Sequence, residues 1–222
     1  MTYRVDLQDL HFQLFEWLRL DELLEHERFE DWDREGIEMV LGEAVELATN
    51  ELASINVECD RQGVTWKDGE VTVPSVMADA WKTYIEGGWV GSTSSPELGG
   101  LGMPETVGTV LNDVFSGANL SFCLTVLLSR GASELIEHHG NDDLRKRFCE
   151  RMISGEWTGT MCLTEPHAGS DVGASTTRAE LQDDGTYLIS GEKIFITSGE
   201  HDLADNIIHA VLARTPDAPA GT

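Results

Sequence analysis

The sequence has few basic side chains, few cysteines and no long apolar run. Only 15 lysines and arginines stand against 40 aspartates and glutamates in 222 residues, for a net charge of −25. So acidic a surface repels phosphate backbones and anionic membrane faces at long range, which argues against nucleic acid as a partner. The acids are spread along helical segments, so they form a solvated surface and not an acidic tail. No stretch approaches the roughly 18 uninterrupted apolar residues of a membrane span. The first nine residues are polar and acidic, so no secretory signal is expected and a soluble, cytoplasmic protein is. Cys59, Cys123, Cys149 and Cys162 are far apart, with no CxxC or Cys/His ligand spacing. Reduced, buried thiols are expected, and no metal site.

What is present is a chain 41% hydrophobic, enough for one large domain or two small ones. The first two-thirds have helical periodicity. Leu7, Leu10, Leu14 and Leu18 recur at helical spacing; a polar stretch from Asp21 to Glu35 contains a turn. Ile37, Leu41, Ala44, Ala48 and Ile55 mark one face of a long second helix. Lys67-Asp68-Gly69-Glu70 predicts a tight turn in a small hairpin. Pro74 opens a helix that Gly87-Gly88 ends, and Pro104 opens another after the Gly-rich loop from Ser92 to Met103. The segment from about Leu120 to His138, with Leu124, Leu127, Leu128, Leu135 and Ile136, is apolar on several faces and is expected at the centre of a helical bundle. Asn141 caps a last helix, closed by Gly155.

From Trp157 the period changes. Strands are expected near Thr177 to Leu181, Thr186 to Ile189, Glu192 to Thr197 and Asn206 to Ala213, with Asp184-Gly185 as a hairpin turn. The fold class is therefore α+β: a helical domain over residues 1–156, with an amino-terminal extension over about 1–35, then an incomplete antiparallel β domain over 157–222. About four strands with open edges make a marginal sheet.

Two segments invite a chemical reading. Gly99-Gly100-Leu101-Gly102-Met103-Pro104 is not a dinucleotide-binding loop, because no strand precedes it and Glu105 stands where the third glycine is required. The stretch from Met161 to Asp171 leaves a strand and enters a loop of small and hydroxyl residues. Such a loop lets backbone amides approach an anionic or aromatic ligand; a plain Asx-rich turn explains it equally well.

Three segments, in order, resemble the acyl-CoA dehydrogenase family. Cys162-Leu163-Thr164-Glu165-Pro166 followed by Ala168-Gly169-Ser170-Asp171 matches the pattern C-x-T-E-P-x-A-G-S-D. Gly191-Glu192-Lys193-Ile194-Phe195-Ile196-Thr197-Ser198-Gly199 resembles G-x-K-x-W-I-T-N-G, and Ser95 to Met103 resembles the family's Pro-Glu and Gly-Gly-x-Gly loop. The first residues, Tyr3 to Leu10 with Phe12, Leu14 and Glu16, are similar to the extra segment of the long branch that includes 3-methylmercaptopropionyl-CoA dehydrogenase. An ordinary amphipathic helix is the alternative for that segment.

The resemblance implies an FAD site and an acyl-CoA substrate. Thr164 and the backbone of Met161, Cys162 and Leu163 would line the flavin ring, where donors stabilise its reduced, electron-rich form. Gly169 and Ser170 would lie near the pyrophosphate and the acyl-CoA entrance. Phe195, Ile196 and Thr197 would flank the ring on its other side. Phe195 stands in place of a Trp, and Met161 in place of a frequent aromatic; both keep an apolar wall.

The implied reaction is α,β-desaturation of an acyl-CoA thioester, with electrons passing to an electron-transfer flavoprotein or similar acceptor, in a homo-oligomer. The family's carboxylate base belongs to a carboxy-terminal helical domain beyond these residues, so the chain is expected to be inactive alone, as an amino-terminal fragment or one subunit of a two-chain enzyme. A non-catalytic flavin- or acyl-CoA-binding module is the alternative. Glu165, beside Pro166, is expected to fix the loop and not to act as the base.

Overall fold

The computed structural model describes residues 3–219 and 221. Its helical part opens with α1 (Leu7–His11), capped by the Asp6 carboxylate, which accepts from the amides of Gln8 and Asp9. A π-helical turn (Phe12–Trp17) continues it and buries Leu14 and Phe15. Leu18, expected on the same face, is instead 52% exposed, because the wider turn takes it off the buried stripe. After the short α2 (Leu20–Leu24), Asp33 caps α3 (Arg34–Leu47). A second π turn (Ala48–Leu52) joins α3 to α4 (Ala53–Gln62), giving the long rod the periodicity predicts. Ile37, Leu41, Ala44, Ala48 and Leu52 are fully buried along it, whereas Ile55 is only partly buried.

The predicted hairpin is present as β1 (Thr65–Lys67) and β2 (Glu70–Thr72), antiparallel across Asp68 and Gly69, both at positive φ. That is the backbone a two-residue turn between twisted strands needs. Then come α5 (Ser75–Glu86), α6 (Glu105–Ala118) and α7 (Leu120–His139). Tyr84 lies edge-on to Phe115 and Phe122 at 5.2 and 5.3 Å, centring an aromatic cluster in the core. Asn119 caps α7 by accepting from the Phe122 amide, and donates its own amide to Leu52 O at 3.2 Å. The Gly-rich loop before α6 closes on its own backbone, Gly102 N donating to Ser94 O and Met103 N to Ser92 O. It is a turn into a helix.

The first half of α7 lies in the helical core, with Phe122, Cys123 and Val126 buried there, and the rest of the helix leaves it. The helix packs between α6 on one side and the sheet on the other, and the face it presents to the sheet is small, with Ser129, Ala132 and Ser133 buried. Of the leucines expected inside, Leu124 and Leu135 are 36% and 42% exposed, and Leu127 and Leu128 are half-buried. Small residues allow the close approach that leucines would prevent.

Two short helices, α8 (Asp142–Leu144) and α9 (Glu150–Ile153), lead through Gly155 into β3 (Trp157–Cys162). The remaining strands are β4 (Arg178–Leu181), β5 (Tyr187–Ser190) and β6 (Asn206–Val211). The β4–β5 hairpin is antiparallel, as the Asp184-Gly185 turn predicts. β3 and β6 pair parallel instead, from Trp157 with Asn206 to Cys162 with Val211. On its way to β6 the returning segment is held to Leu163 and Thr164, to α7 and to Val73.

The strand expected over Glu192 to Thr197 does not form. Phe195 and Ser198 adopt φ of 57° and 51°, a left-handed backbone that breaks an extended run. All four cysteines are buried and unpaired. Among the described residues, no helix is long and apolar enough to cross a membrane.

Candidate functional site

β3 carries the chain into the first motif. Its last residue, Cys162, is buried, with Sγ 3.4 Å from Thr160 Oγ1; Met161 is half-buried. Past the strand, Leu163 is 37% exposed and Thr164 half-buried. Neither of their backbone amides has an acceptor among the described residues. The chain then turns sharply: Glu165 N donates to Ala168 O at 2.9 Å and Ala168 N to Glu165 O at 3.1 Å, a closed bridge around Pro166 and His167. Gly169 and Ser170 follow, both exposed.

The Glu165 side chain, 1% exposed, is the hub of this arrangement. One carboxylate oxygen accepts from Thr176 N at 2.7 Å and Thr176 Oγ1 at 2.9 Å. The other accepts from Thr177 N and Lys193 Nζ, each at 2.9 Å. Burial by itself raises the carboxyl, but the donors on Thr177, Thr176 and Lys193 outweigh it and hold the group well below the usual carboxylate range. A carboxylate so enclosed fixes the loop; a base needs an oxygen free to reach its proton.

Lys193 joins the second motif to the first. Its ammonium also donates to Leu163 O at 2.9 Å, and Ile194 N donates to Thr164 O at 2.9 Å. Leu163 and Thr164 are thereby set beside Lys193 to Thr197 in one wall. On this wall Phe195 is 88% exposed and Thr197 exposed, while Ile196 is half-buried. Ile196 stands between a small cavity of about 320 Å³ and an open cleft of about 850 Å³ walled by α4, the β1–β2 hairpin, the start of α7 and residues 196–203. The bonds of Lys193 and Ile194 reach Leu163, Thr164 and Glu165 but not Gly169 or Ser170, which stand apart at the far side of the turn.

Three side chains not singled out in the sequence shape the site. Lys193 could have been noticed as one of few cations, standing in one motif opposite the acid of the other. Thr125 Oγ1 lies 2.7 Å from Ser198 Oγ and ties α7 to the second motif. His201 is buried beneath the cleft; its flanking acids Glu200 and Asp202 give no sequence signal of that.

Comparison with known proteins gives the family. Residues 34–156 match the model of the acyl-CoA dehydrogenase N-terminal domain, and residues 160–221 that of the acyl-CoA dehydrogenase middle domain. The chain is 37% identical over its full length to 3-methylmercaptopropionyl-CoA dehydrogenase of Ruegeria pomeroyi, and 39% identical over its full length to a butyryl-CoA dehydrogenase of Syntrophomonas wolfei. It spans 38% and 37% of those proteins. Both likenesses include the segment before residue 34, which the family model omits. A crystal structure of an acyl-CoA dehydrogenase complexed with FAD from Bacillus anthracis superposes with a TM-score of 0.68 at 26% identity, over 84% of this chain and 30% of that one. The chain belongs to the acyl-CoA dehydrogenase family.

Proposed function

We propose that this chain supplies one wall of the flavin site of an FAD-dependent acyl-CoA dehydrogenase. The observation that carries the reading is the joining of the two motifs by Lys193, which lays Leu163 and Thr164 alongside Phe195 to Thr197. The residues fit an isoalloxazine ring. Among the described residues the amides of Leu163 and Thr164 have no acceptor, Thr164 and Thr197 each carry a hydroxyl, and Phe195 is 88% exposed. Free amides and hydroxyls are the donors an electron-rich ring needs, and an exposed aromatic is a surface for a flat partner. When bound, FAD supplies the hydride acceptor.

In this reading Thr164 and the amides of Leu163 and Thr164 orient the ring, Phe195 and Ile196 shield it from water, and Thr197 meets its other side. Met161 and Cys162 contribute backbone; Gly169 and Ser170 serve the pyrophosphate and the acyl-CoA entrance. The open cleft beside Ile196 receives the acyl chain. For the whole protein we propose α,β-desaturation of an acyl-CoA thioester, with an electron-transfer flavoprotein or similar acceptor, in a homo-oligomer; the names of the relatives support this. We also read residues 1–156 and 157–222 as two domains, a division that the family models support.

Titration of FAD into the chain, followed by flavin fluorescence, tests the reading. Thr164→Val and Phe195→Ala are expected to weaken binding about tenfold each, the loss that one hydrogen bond or one aromatic contact produces. Unchanged binding by both variants overturns it.

A further inference from the structure

The segment from Ile196 to Asp205 links the second motif to β6 and forms one side of the open cleft. It has little regular structure of its own and is held by side chains to three separate elements. Ser198 Oγ meets Thr125 on α7 at 2.7 Å. Asp202 Oδ1 accepts from Val73 N, just past β2, at 2.9 Å. Between them His201, 6% exposed, reaches β3.

The imidazole bonds require one tautomer. Leu203 N can only donate, so Nδ1, 3.1 Å away, must be its acceptor and carry no proton. Nε2 then bears the hydrogen and donates to Thr158 Oγ1 at 3.1 Å, on a strand residue 1% exposed. A second proton would have to go on Nδ1, where it faces the Leu203 N–H donor. Protonation therefore breaks the bond that folds the segment back on itself and leaves a charge beside uncharged Thr158.

We infer that neutral His201 is a positioning residue that latches residues 196–205 against β3, and that its protonation releases this wall of the cleft. That the wall faces flavin rests on the function proposed above; the latch itself does not. The surroundings set the direction. Burial favours the neutral ring, and the acids of its own segment, Glu200 and Asp202, oppose that; the ring's affinity for a proton falls below the ordinary value. Among the described residues that line the cleft there is no Lys or Arg; of the elements packed around the ring, β3 brings Thr158, α7 brings Ser121 and Thr125, and α4 brings Cys59 and the acid Asp60. With the folded value lowered, the stabilisation is complete above the unfolded value and is lost as pH falls through the folded one.

Hydrogen exchange tests this on the chain without ligand. Between about pH 7.5 and about pH 5, the range in which a histidine changes charge, protection factors of residues 199–205 are expected to fall about five- to tenfold, the effect of one lost hydrogen bond. The β4–β5 hairpin serves as internal reference and is expected to hold. In His201→Asn the side-chain oxygen can still accept from Leu203 N but cannot titrate, so the step is expected to disappear with protection retained at both ends. Thr158→Val is expected to lower protection at the higher pH and to keep the step. Constant protection in the unaltered chain, an equal fall in the hairpin, or a step that survives in His201→Asn overturns the inference. FAD titration reads the function separately: an exchange step together with FAD binding that Thr164→Val and Phe195→Ala leave unchanged sustains the latch and defeats the flavin reading.

Discussion

Lys193 Nζ lies 2.9 Å from both the carbonyl oxygen of Leu163 and a carboxylate oxygen of Glu165. One ammonium therefore holds the backbone and the buried acid of the first motif together, 28 residues away along the chain. The side chains of Lys193 and Glu165 are 10% and 1% exposed, so the pair is shielded from competing water.

Removing one partner of such a pair leaves the other charge buried. Lys193→Met is expected to lower the unfolding free energy by about 3 kcal/mol at neutral pH, as measured by urea denaturation. The double variant with Glu165→Gln is expected to recover part of that loss, because no charge is then stranded. Equal stability of Lys193→Met and the unaltered chain would mean that the pair contributes nothing.

Acid should expose the role of Glu165. Its folded carboxyl sits below the ordinary 4.5, so its contribution is complete above the unfolded value and is lost as pH falls through the folded one. Stability of the unaltered chain is expected to decline more steeply than that of Glu165→Gln between about pH 5 and about pH 3. Parallel pH curves for the two proteins would show that the carboxylate is not selectively stabilised.

The packing of α7 on β3 has its own test. A methyl group on Gly159 would lie 2.6 Å from Met152 Cε and 2.7 Å from Ala132 Cβ, whereas one on Gly169 meets nothing within 4 Å. Gly159→Ala is expected to cost about 1–3 kcal/mol and Gly169→Ala to stay within about 0.5 kcal/mol of the unaltered chain. Thermal or urea unfolding of both variants measures the contrast; similar values would show that the interface yields freely.

Local chemistry was legible where a few adjacent residues decide the outcome. The stripe through Ile37, Leu41, Ala44 and Ala48 announces a helix because its period needs no distant partner. Asp68-Gly69 and Asp184-Gly185 announce hairpins because their backbone preference is intrinsic. The family is legible because Cys162 to Asp171 and Gly191 to Gly199 keep their residue types in order.

The remaining features depend on residues far apart in the chain. Glu192 to Thr197 has a strand's composition, yet the bonds to Leu163, Thr164 and Glu165 accompany a left-handed turn at Phe195. The leucines of α7 mark it as a buried helix, but Leu124 and Leu135 are exposed, while Phe122 and Val126 enter the helical core and the small residues Ser129, Ala132 and Ser133 face β3, which approaches closely there. Parallel pairing of β3 with β6 depends on a crossover that no local pattern encodes. By itself, then, the sequence determined the helices, the two hairpins and the family. Only the tertiary structure decided that Glu165 and His201 are buried anchors and that the motifs share one wall, because burial and hydrogen-bond partners are created when distant segments meet.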